Sequence, residues 1–223
     1  MNYFGSKNAS GVYQTIINFI PPHKIYIEAF LGSGAILRYK KPAEINIGIE
    51  RDKSVIKKFW SPTPKGNIIL CEDAIQWLKD YHAHSTNVLI YLDPPYIISS
   101  RKSKIKQYRH ELTDKQHEVL LRFIINCESK IMISTYPNAL YSEYLHAWTK
   151  KEFYSMTRTG KAKELLYMNF ATPEALHDYN FLGKDFTDRQ RVRRKIKRFI
   201  QKLSALPAVE RNAITSAFSN HSF

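Results

Sequence analysis

The sequence predicts an α/β domain built on a largely parallel sheet, and two patterns carry that prediction. Short β-branched and apolar stretches recur along the chain, and stretches with helical spacing of apolar residues separate them. This alternation is typical of a parallel sheet with helices on both faces, which binds ligands beyond the carboxyl ends of its strands. With 223 residues, 43% of them hydrophobic, the chain is long enough to bury such a core.

The individual elements follow from the same patterns, taken in chain order. Buried strands are expected at 24–30, 45–49, 68–70, 88–92 and 130–134, with two further strands near 151–157 and 164–170. Helices are expected at roughly 8–20, 34–40, 52–60, 73–82 and 113–127. The last of these helices begins at Thr113, whose hydroxyl suits a helix cap.

After residue 172 the alternation ends and a basic amphipathic helix is expected. Its apolar positions recur at helical spacing and are Val192, Ile196, Phe199, Ile200 and Leu203. Pro207 then begins a second short helix. We therefore expect residues 1–172 to form the α/β domain and residues 173–223 to form a basic helical extension docked on it. A helix lying on a membrane surface is the less favoured alternative.

The positive charge of the chain is concentrated rather than spread. The formal net charge is +14, and most of it falls in two segments, at 101–109 and at 184–202. Focused charge of this kind points to a polyanion lying against the protein, although two solvated surfaces explain the charge equally well by themselves. The candidate nucleic-acid-binding residues are Arg101, Lys102, Lys104, Lys106, Tyr108, Arg109, Arg194, Lys195, Lys197 and Arg198.

Several classes of protein are disfavoured. The longest apolar run, Val88–Leu92, has five residues, whereas a membrane-spanning helix needs roughly 20. The first residues lack the pattern of a secretory signal, so a cytoplasmic protein is expected. Cys71 and Cys127 have no partners at ligand spacing, so we expect two buried small side chains, no disulfide framework and no metal site.

Three candidate ligand-binding positions follow the first three strands. Phe30, Gly32 and Gly34 form a tight glycine turn that leads into a helix, and such turns let a ligand approach the backbone. The third glycine of the dinucleotide fingerprint is absent. Glu50 ends the second strand, where a carboxylate can accept hydrogen bonds from ribose hydroxyls or cap a helix. Asp73 follows the third strand and can accept from an adenine amino group or cap the next helix.

The most informative segment is Asp93-Pro94-Pro95-Tyr96, which follows the most hydrophobic strand. Two prolines stiffen the exit from the strand and leave carbonyl oxygens free to accept hydrogen bonds. An acid, a fixed carbonyl and an aromatic ring are thus presented at the ligand-binding edge. A plain proline turn before a helix is the alternative, but it does not explain why Asp93 and Tyr96 flank the two prolines.

These groups suit the activation of an exocyclic amine. The lone pair of the adenine N6 amine is delocalised into the ring, so a planar amine is a poor nucleophile. The Asp93 carboxylate and the Pro94 carbonyl, each accepting one N–H, would draw the nitrogen toward tetrahedral geometry, while Tyr96 stacks on the base. An adenine inside a duplex must first be flipped out of the stack to reach such a site.

Taken together, these motifs resemble the DNA N6-adenine methyltransferase family. The order that carries the resemblance is Tyr3-Phe4-Gly5-Ser6-Lys7, the stretch Glu28–Gly34, Glu50, Asp73, Asp93–Tyr96, Ile133–Tyr136 and Glu164–Asn169. Only 20 positions separate Asp73 from Asp93, which leaves no room for a large target-recognition insert. The chain is therefore similar to a small member of the family, for which a short or relaxed recognition sequence is expected.

The resemblance implies a Rossmann-like, seven-stranded methyltransferase fold that uses S-adenosylmethionine and acts on double-stranded DNA. It implies that Lys7 lies near the cofactor carboxylate and that Asp93, Pro94, Pro95 and Tyr96 form the catalytic site. The cofactor-binding residues that it implies are Tyr3, Lys7, Phe30, Gly32, Gly34, Glu50 and Asp73. Two alternatives stay open: an RNA adenine N6-methyltransferase, and a nucleic-acid-binding protein that has lost catalysis.

Overall fold

The protein is described by a computed structural model that covers residues 5–81, 85–101, 108–157 and 160–220. Two compact units, Met1–Asn180 and Phe181–Phe223, make up the chain. Residues 177 and 178 belong to the first unit, since the His177 amide donates to the Ile20 carbonyl and Asp178 accepts from the Lys41 amide, both at 2.9 Å. The division into functional domains at residue 172 stays a prediction.

The first unit is built on a seven-stranded sheet in the order β3-β2-β1-β4-β5-β7-β6. The strands are β1 (Ile25–Ala29), β2 (Ile45–Ile49), β3 (Asn67–Leu70), β4 (Val88–Leu92), β5 (Lys130–Thr135), β6 (Thr149–Thr157) and β7 (Gly160–Met168). Strands β1 to β5 run parallel, and β7 is antiparallel to both β5 and β6. This architecture confirms the predicted α/β fold with a mostly parallel sheet.

Six helices accompany the sheet in the described part of the first unit. They are α1 (Val12–Ile17), α2 (Ala35–Tyr39), α3 (Lys53–Phe59), α4 (Ala74–Asp80), α5 (Asp114–Ile125) and α6 (Ala139–Tyr144). Thr113 caps α5 as expected, with its hydroxyl accepting from the Gln116 amide. The sequence patterns did not predict α6, because a helix of six residues is too short to display a clear period.

The core lies around the two central strands. Every residue of β4 is buried, and its partner β1 is buried from Tyr26 to Ala29. A parallel strand covered on both faces has no solvent side, so its apolar run is continuous rather than alternating. That is why Val88–Leu92 is the most hydrophobic stretch of the sequence.

The strand order places several loops at one edge of the sheet. The order reverses between β1 and β4, which creates the crevice where α/β sheets bind ligands. The loops after β1, β2, β3 and β4 all leave the sheet at this carboxyl edge. Strand β7 runs the other way, so its early residues reach the same edge: Leu165 pairs with Thr135, the last residue of β5.

The second unit contains two helices, α7 (Phe186–Ser204) and α8 (Ala208–Asn220). Both were expected, but their apolar side chains stay largely exposed, with Phe199 at 63% and Val209 at 81%. The four basic candidates on α7, residues 194, 195, 197 and 198, are exposed as well.

Two observations concern the excluded classes of protein. No helix in the described ranges is both long and apolar enough to cross a membrane. The expectation that both cysteines are buried is wrong for Cys71, which is exposed because β3 is the edge strand; Cys127 is half-buried.

Candidate active site

The loops at the carboxyl edge surround a cavity of about 850 Å³, counted with its open mouth. The sequence-predicted residues that line it are Lys7, Phe30, Gly32, Gly34, Glu50, Asp73, Asp93, Pro95, Tyr108 and Arg109. The fold thus brings together residues from six separate segments of the chain. Tyr3, which was also predicted here, lies outside the described residues.

The glycine turn after β1 has the left-handed backbone that its sequence suggests. Gly32 and Gly34 have φ angles of 50° and 61°, and Phe30 between β1 and the turn has φ 63°, a conformation that is strained for a side chain with a Cβ. Trp60 supports the turn from behind, because its indole Nε1 donates to the Gly32 carbonyl at 3.1 Å. The turn is therefore a rigid wall of the cavity.

Replacing Gly34 with alanine is expected to weaken cofactor binding by about tenfold or more, because the left-handed backbone alone costs a Cβ about 1–2 kcal/mol. The added Cβ would also clash with Trp60 Cζ2, so the turn or the indole must move. Calorimetric titration with S-adenosylmethionine measures the change. The double variant Gly34→Ala, Trp60→Leu should recover part of the affinity, and an unchanged affinity for Gly34→Ala alone would contradict the role of the turn.

Glu50 is held in place by two backbone amides. Its carboxylate accepts from the Gly32 amide and from the Asp52 amide, each at 2.8 Å. Burial raises the pKa of Glu50, while the backbone amides of Asp52, Gly32 and Arg51 lower it. The geometry links the glycine turn directly to the predicted ribose acceptor.

Asp73 is the N-cap of helix α4. Its Oδ1 accepts from the amides of Ile75 and Gln76, both at 3.0 Å, which caps α4. Its Oδ2 lies 3.3 Å from Arg51 NH1. The capping alternative is therefore realised, and a contact with an adenine amino group stays a prediction.

The polar side chains of the cavity suit a cationic ligand that carries hydroxyl groups. Five carboxyl side chains line it, against the basic side chains Lys7, Arg51 and Arg109 and the imidazole of His110. Glu28 is one of the five: burial raises its pKa to about 8, although Tyr26 OH and the Leu37 amide donate to it. Without Glu28, four carboxyl side chains remain against three basic ones, and these acceptors fit S-adenosylmethionine, which has ribose hydroxyls and a sulfonium centre.

Asp93 and Lys7 form a buried ion pair 86 positions apart in sequence. The Lys7 ammonium donates to both Asp93 oxygens at 2.8 Å. Burial raises the pKa of Asp93, and Lys7 partly offsets that rise. Burial acts against the charge of Lys7, but Asp93 and Glu164 outweigh it and raise its pKa. The structure therefore pairs Lys7 with the predicted catalytic acid at the wall of the cavity, and the proximity of Lys7 to the cofactor carboxylate stays a prediction.

Tyr96 lies beside this pair and is itself nearly buried. Its hydroxyl donates to Glu164 Oε2 at 2.6 Å and lies 3.2 Å from Asp93 Oδ1. The ring of Tyr136, which follows β5, meets the Tyr96 ring edge-on with centroids 4.5 Å apart. Pro94 is buried next to Asp93, whereas Pro95 lines the cavity. Base stacking on Tyr96 stays a prediction.

The segment after Asp93–Tyr96 was expected to contact nucleic acid, but its residues are arranged differently. Arg101 is buried and paired with Glu111 at 2.6 Å, and its NH2 also donates to the Tyr96 carbonyl. Its place in the structure is thus inside the protein, not on a DNA-facing surface. Tyr108 and Arg109 line the cavity, and Arg109 lies 3.6 Å from Asp52. Lys102, Lys104 and Lys106 fall outside the described residues.

Three functional candidates carry no assigned role in the sequence analysis. Glu28, Glu111 and Glu164 are all at least half-buried, and each accepts hydrogen bonds from neighbouring residues of the site. A charged residue inside or next to an apolar stretch is the signal that could have found Glu28 and Glu164, since charges are rarely buried without a partner. Glu111 has no such signal, because its surroundings in sequence are polar.

Two solved structures show how far the likeness of the fold extends. A protein of Thermoplasma acidophilum, designated 1320, superposes with a TM-score of 0.50 at 12% identity, over 71% of this chain and 86% of that one. Magnesium protoporphyrin IX methyltransferase from Synechocystis PCC 6803, solved with bound SAM, gives a TM-score of 0.47 at 12% identity, over 76% and 86%. At such identities the likeness concerns the fold alone.

At the level of sequence, no curated protein matches the chain. The sequence pattern of the D12 class N6 adenine-specific DNA methyltransferase family matches residues 49–161, which is half of its length. That match includes Glu50, Asp73 and the Asp93–Tyr96 segment. The chain therefore belongs to the D12 class N6 adenine-specific DNA methyltransferase family and is an S-adenosylmethionine-dependent methyltransferase.

Proposed function

We propose that the protein methylates the N6 amine of an adenine that has been flipped out of double-stranded DNA. The observation that carries this proposal is the position of Asp93, which follows the central strand β4 and lines the cavity together with Pro95 and the glycine turn. A carboxylate at this position can accept one N–H of an amine while the same cavity holds the methyl donor. Membership of the D12 class supports adenine in DNA as the substrate.

The chain supplies orientation and electrostatics rather than a nucleophile of its own. S-adenosylmethionine, when bound, supplies the methyl group on a cationic sulfur. Glu50 would accept from the ribose hydroxyls, and the glycine turn would hold the methionyl end. Asp93 and the Pro94 carbonyl would take one N–H each and concentrate the lone pair of the amine. Alignment and preorganised acceptors are the largest contributions that a protein makes to such a transfer.

The reaction is tested directly by tritium transfer from labelled S-adenosylmethionine. Unmethylated duplex DNA should become labelled, and digestion to nucleosides should place the label in N6-methyldeoxyadenosine. Matched RNA should take up little label, because the enzyme is expected to flip its base from a duplex with B-form geometry. Labelling of RNA alone would favour the RNA methyltransferase, and absence of both transfer and cofactor binding would favour a protein that has lost catalysis.

The basic face of α7 is proposed to contact DNA phosphates. Replacing Arg194, Lys195, Lys197 and Arg198 with glutamine should weaken DNA binding for every sequence. Each lost phosphate contact lowers the slope of log K against log salt by about 1. Fluorescence anisotropy with a labelled duplex at several salt concentrations measures both quantities.

A matched control removes the same charge elsewhere, by glutamine substitution of the exposed residues Lys57, Lys58, Lys65 and Lys79. The control variant should keep the salt slope of the wild type. If the α7 variant also keeps it, the basic face of α7 is a solvated surface and DNA is held by other residues.

A further inference from the structure

Glu164 stands within the candidate site although neither the sequence motifs nor the family match assigns it a role. It precedes Leu165, which pairs with the last residue of β5, so it lies at the carboxyl edge of the sheet beside the catalytic loop. Its side chain is 3% exposed. A buried carboxylate needs partners, and its partners here are Tyr96 and Lys7.

The first contact concerns a single proton. The Tyr96 hydroxyl has one hydrogen and two carboxylates within reach, Glu164 at 2.6 Å and Asp93 at 3.2 Å. The shorter contact takes the hydrogen. Glu164 therefore keeps the hydroxyl of Tyr96 from occupying a lone pair of Asp93.

The second contact concerns the ammonium of Lys7. It donates to both oxygens of Asp93 at 2.8 Å, and Glu164 Oε2 lies 3.5 Å from the same Lys7 Nζ. An incoming amine needs one of the Asp93 lone pairs that face Lys7. A second carboxylate at ion-pair distance gives the ammonium an alternative partner without returning it to water.

Resting on the proposed function, we propose that Glu164 is a positioning residue that keeps Asp93 open to the target amine, by holding the Tyr96 hydroxyl and by sharing Lys7. Without the charge of Glu164, Lys7 forms an ion pair with Asp93 alone. Asp93 then holds its cation more tightly and accepts the amine less readily. The loss falls on the rate of transfer and not on the binding of the cofactor, because Glu164 does not line the cofactor cavity.

The central variant is Glu164→Gln, which keeps the shape and an oxygen that can accept from Tyr96 but removes the charge. The rate of a single turnover at saturating DNA and cofactor should fall about 10- to 100-fold. The affinity for S-adenosylmethionine, measured by calorimetry, should stay within about threefold. The control is Glu152→Gln on β6, whose carboxylate pairs with Lys163 at the surface; its rate should equal that of the wild type.

The pH dependence of that rate provides a readout that lost packing alone would not move. In the described part of the chain, the ionisable groups around Asp93 are Lys7, Tyr26, Glu28, Tyr91, Tyr96, Tyr136, Tyr141 and Glu164. Among them the negative charge of Glu164 raises the pKa of Asp93. Its removal should lower that pKa, so the acid limb of the profile should move to lower pH in Glu164→Gln.

A second variant, Glu164→Asp, keeps the charge one methylene further back. It should retain more activity than Glu164→Gln, whereas a purely steric role for Glu164 predicts the reverse order. The inference is overturned by that reverse order, by an unchanged rate in Glu164→Gln, or by a lower rate with an unmoved acid limb. Failure of the wild-type protein to methylate adenine in DNA would instead contradict the proposed function itself.

Discussion

Replacing Asp93 with alanine is expected to lower the rate of methyl transfer by about 100- to 1,000-fold or more, as for the loss of other preorganised groups in active sites. The amine loses the charged acceptor that draws it out of the adenine plane. Cofactor affinity should change little, because the glycine turn and Glu50 form the rest of the cavity independently of Asp93. Single-turnover tritium transfer and calorimetry measure the two quantities.

Two variants make the Asp93 result specific. Asp93→Asn keeps an oxygen acceptor without the charge, so it should lie between the wild type and alanine. Glu128→Ala removes an exposed carboxylate outside the site and should behave as the wild type. Activity retained by Asp93→Ala would rule out the proposed role of this residue.

Replacing Glu111 with alanine is expected to lower the free energy of unfolding by about 3–5 kcal/mol, because it leaves Arg101 buried without its counter-ion. The two guanidinium nitrogens of Arg101 that pair with Glu111 lie 2.6 and 2.8 Å from its oxygens, and both side chains are nearly buried. Urea denaturation followed by tryptophan fluorescence measures the change.

The double variant Arg101→Met, Glu111→Leu separates pairing from packing. Removing both charges together should restore much of the lost stability, because apolar replacement of a whole buried ion pair is often close to neutral. Methyl transfer should nevertheless stay impaired, since Arg101 also holds the Tyr96 carbonyl. Equal stability of Glu111→Ala and the wild type would mean that Arg101 finds another partner or water.

The secondary structure was largely predictable because its signals are local. The five parallel strands lie where the apolar stretches occur, and β4 is the clearest because both of its faces are covered. Strands β6 and β7 were expected near 151–157 and 164–170, but β7 begins earlier, at Gly160, in a polar stretch. Helix α5 was clear because a capping residue and twelve residues of periodic sequence mark it. Helix α6 was missed because six residues do not complete two turns.

The candidate site was predictable as a set of positions but not as a set of contacts. In a parallel sheet every strand ends at the same edge, so residues that follow strands must meet there. This rule predicts that Phe30, Gly34, Glu50, Asp73 and Asp93 lie close together, and all five line one cavity. It has no bearing on Lys7 or Glu164, since one lies before the first strand and the other within an antiparallel strand.

The sequence by itself determined the α/β fold, the ligand-binding edge and the acid that follows β4. These features depend on apolar periodicity and on the alternation of strands and helices along the chain, which are local signals. Only the tertiary structure decided which charges pair. It joined Lys7 to Asp93, placed Glu164 against Tyr96 and buried Arg101 on Glu111. Long charged side chains reach many partners, and the choice among them depends on which distant segments share a low-dielectric interior.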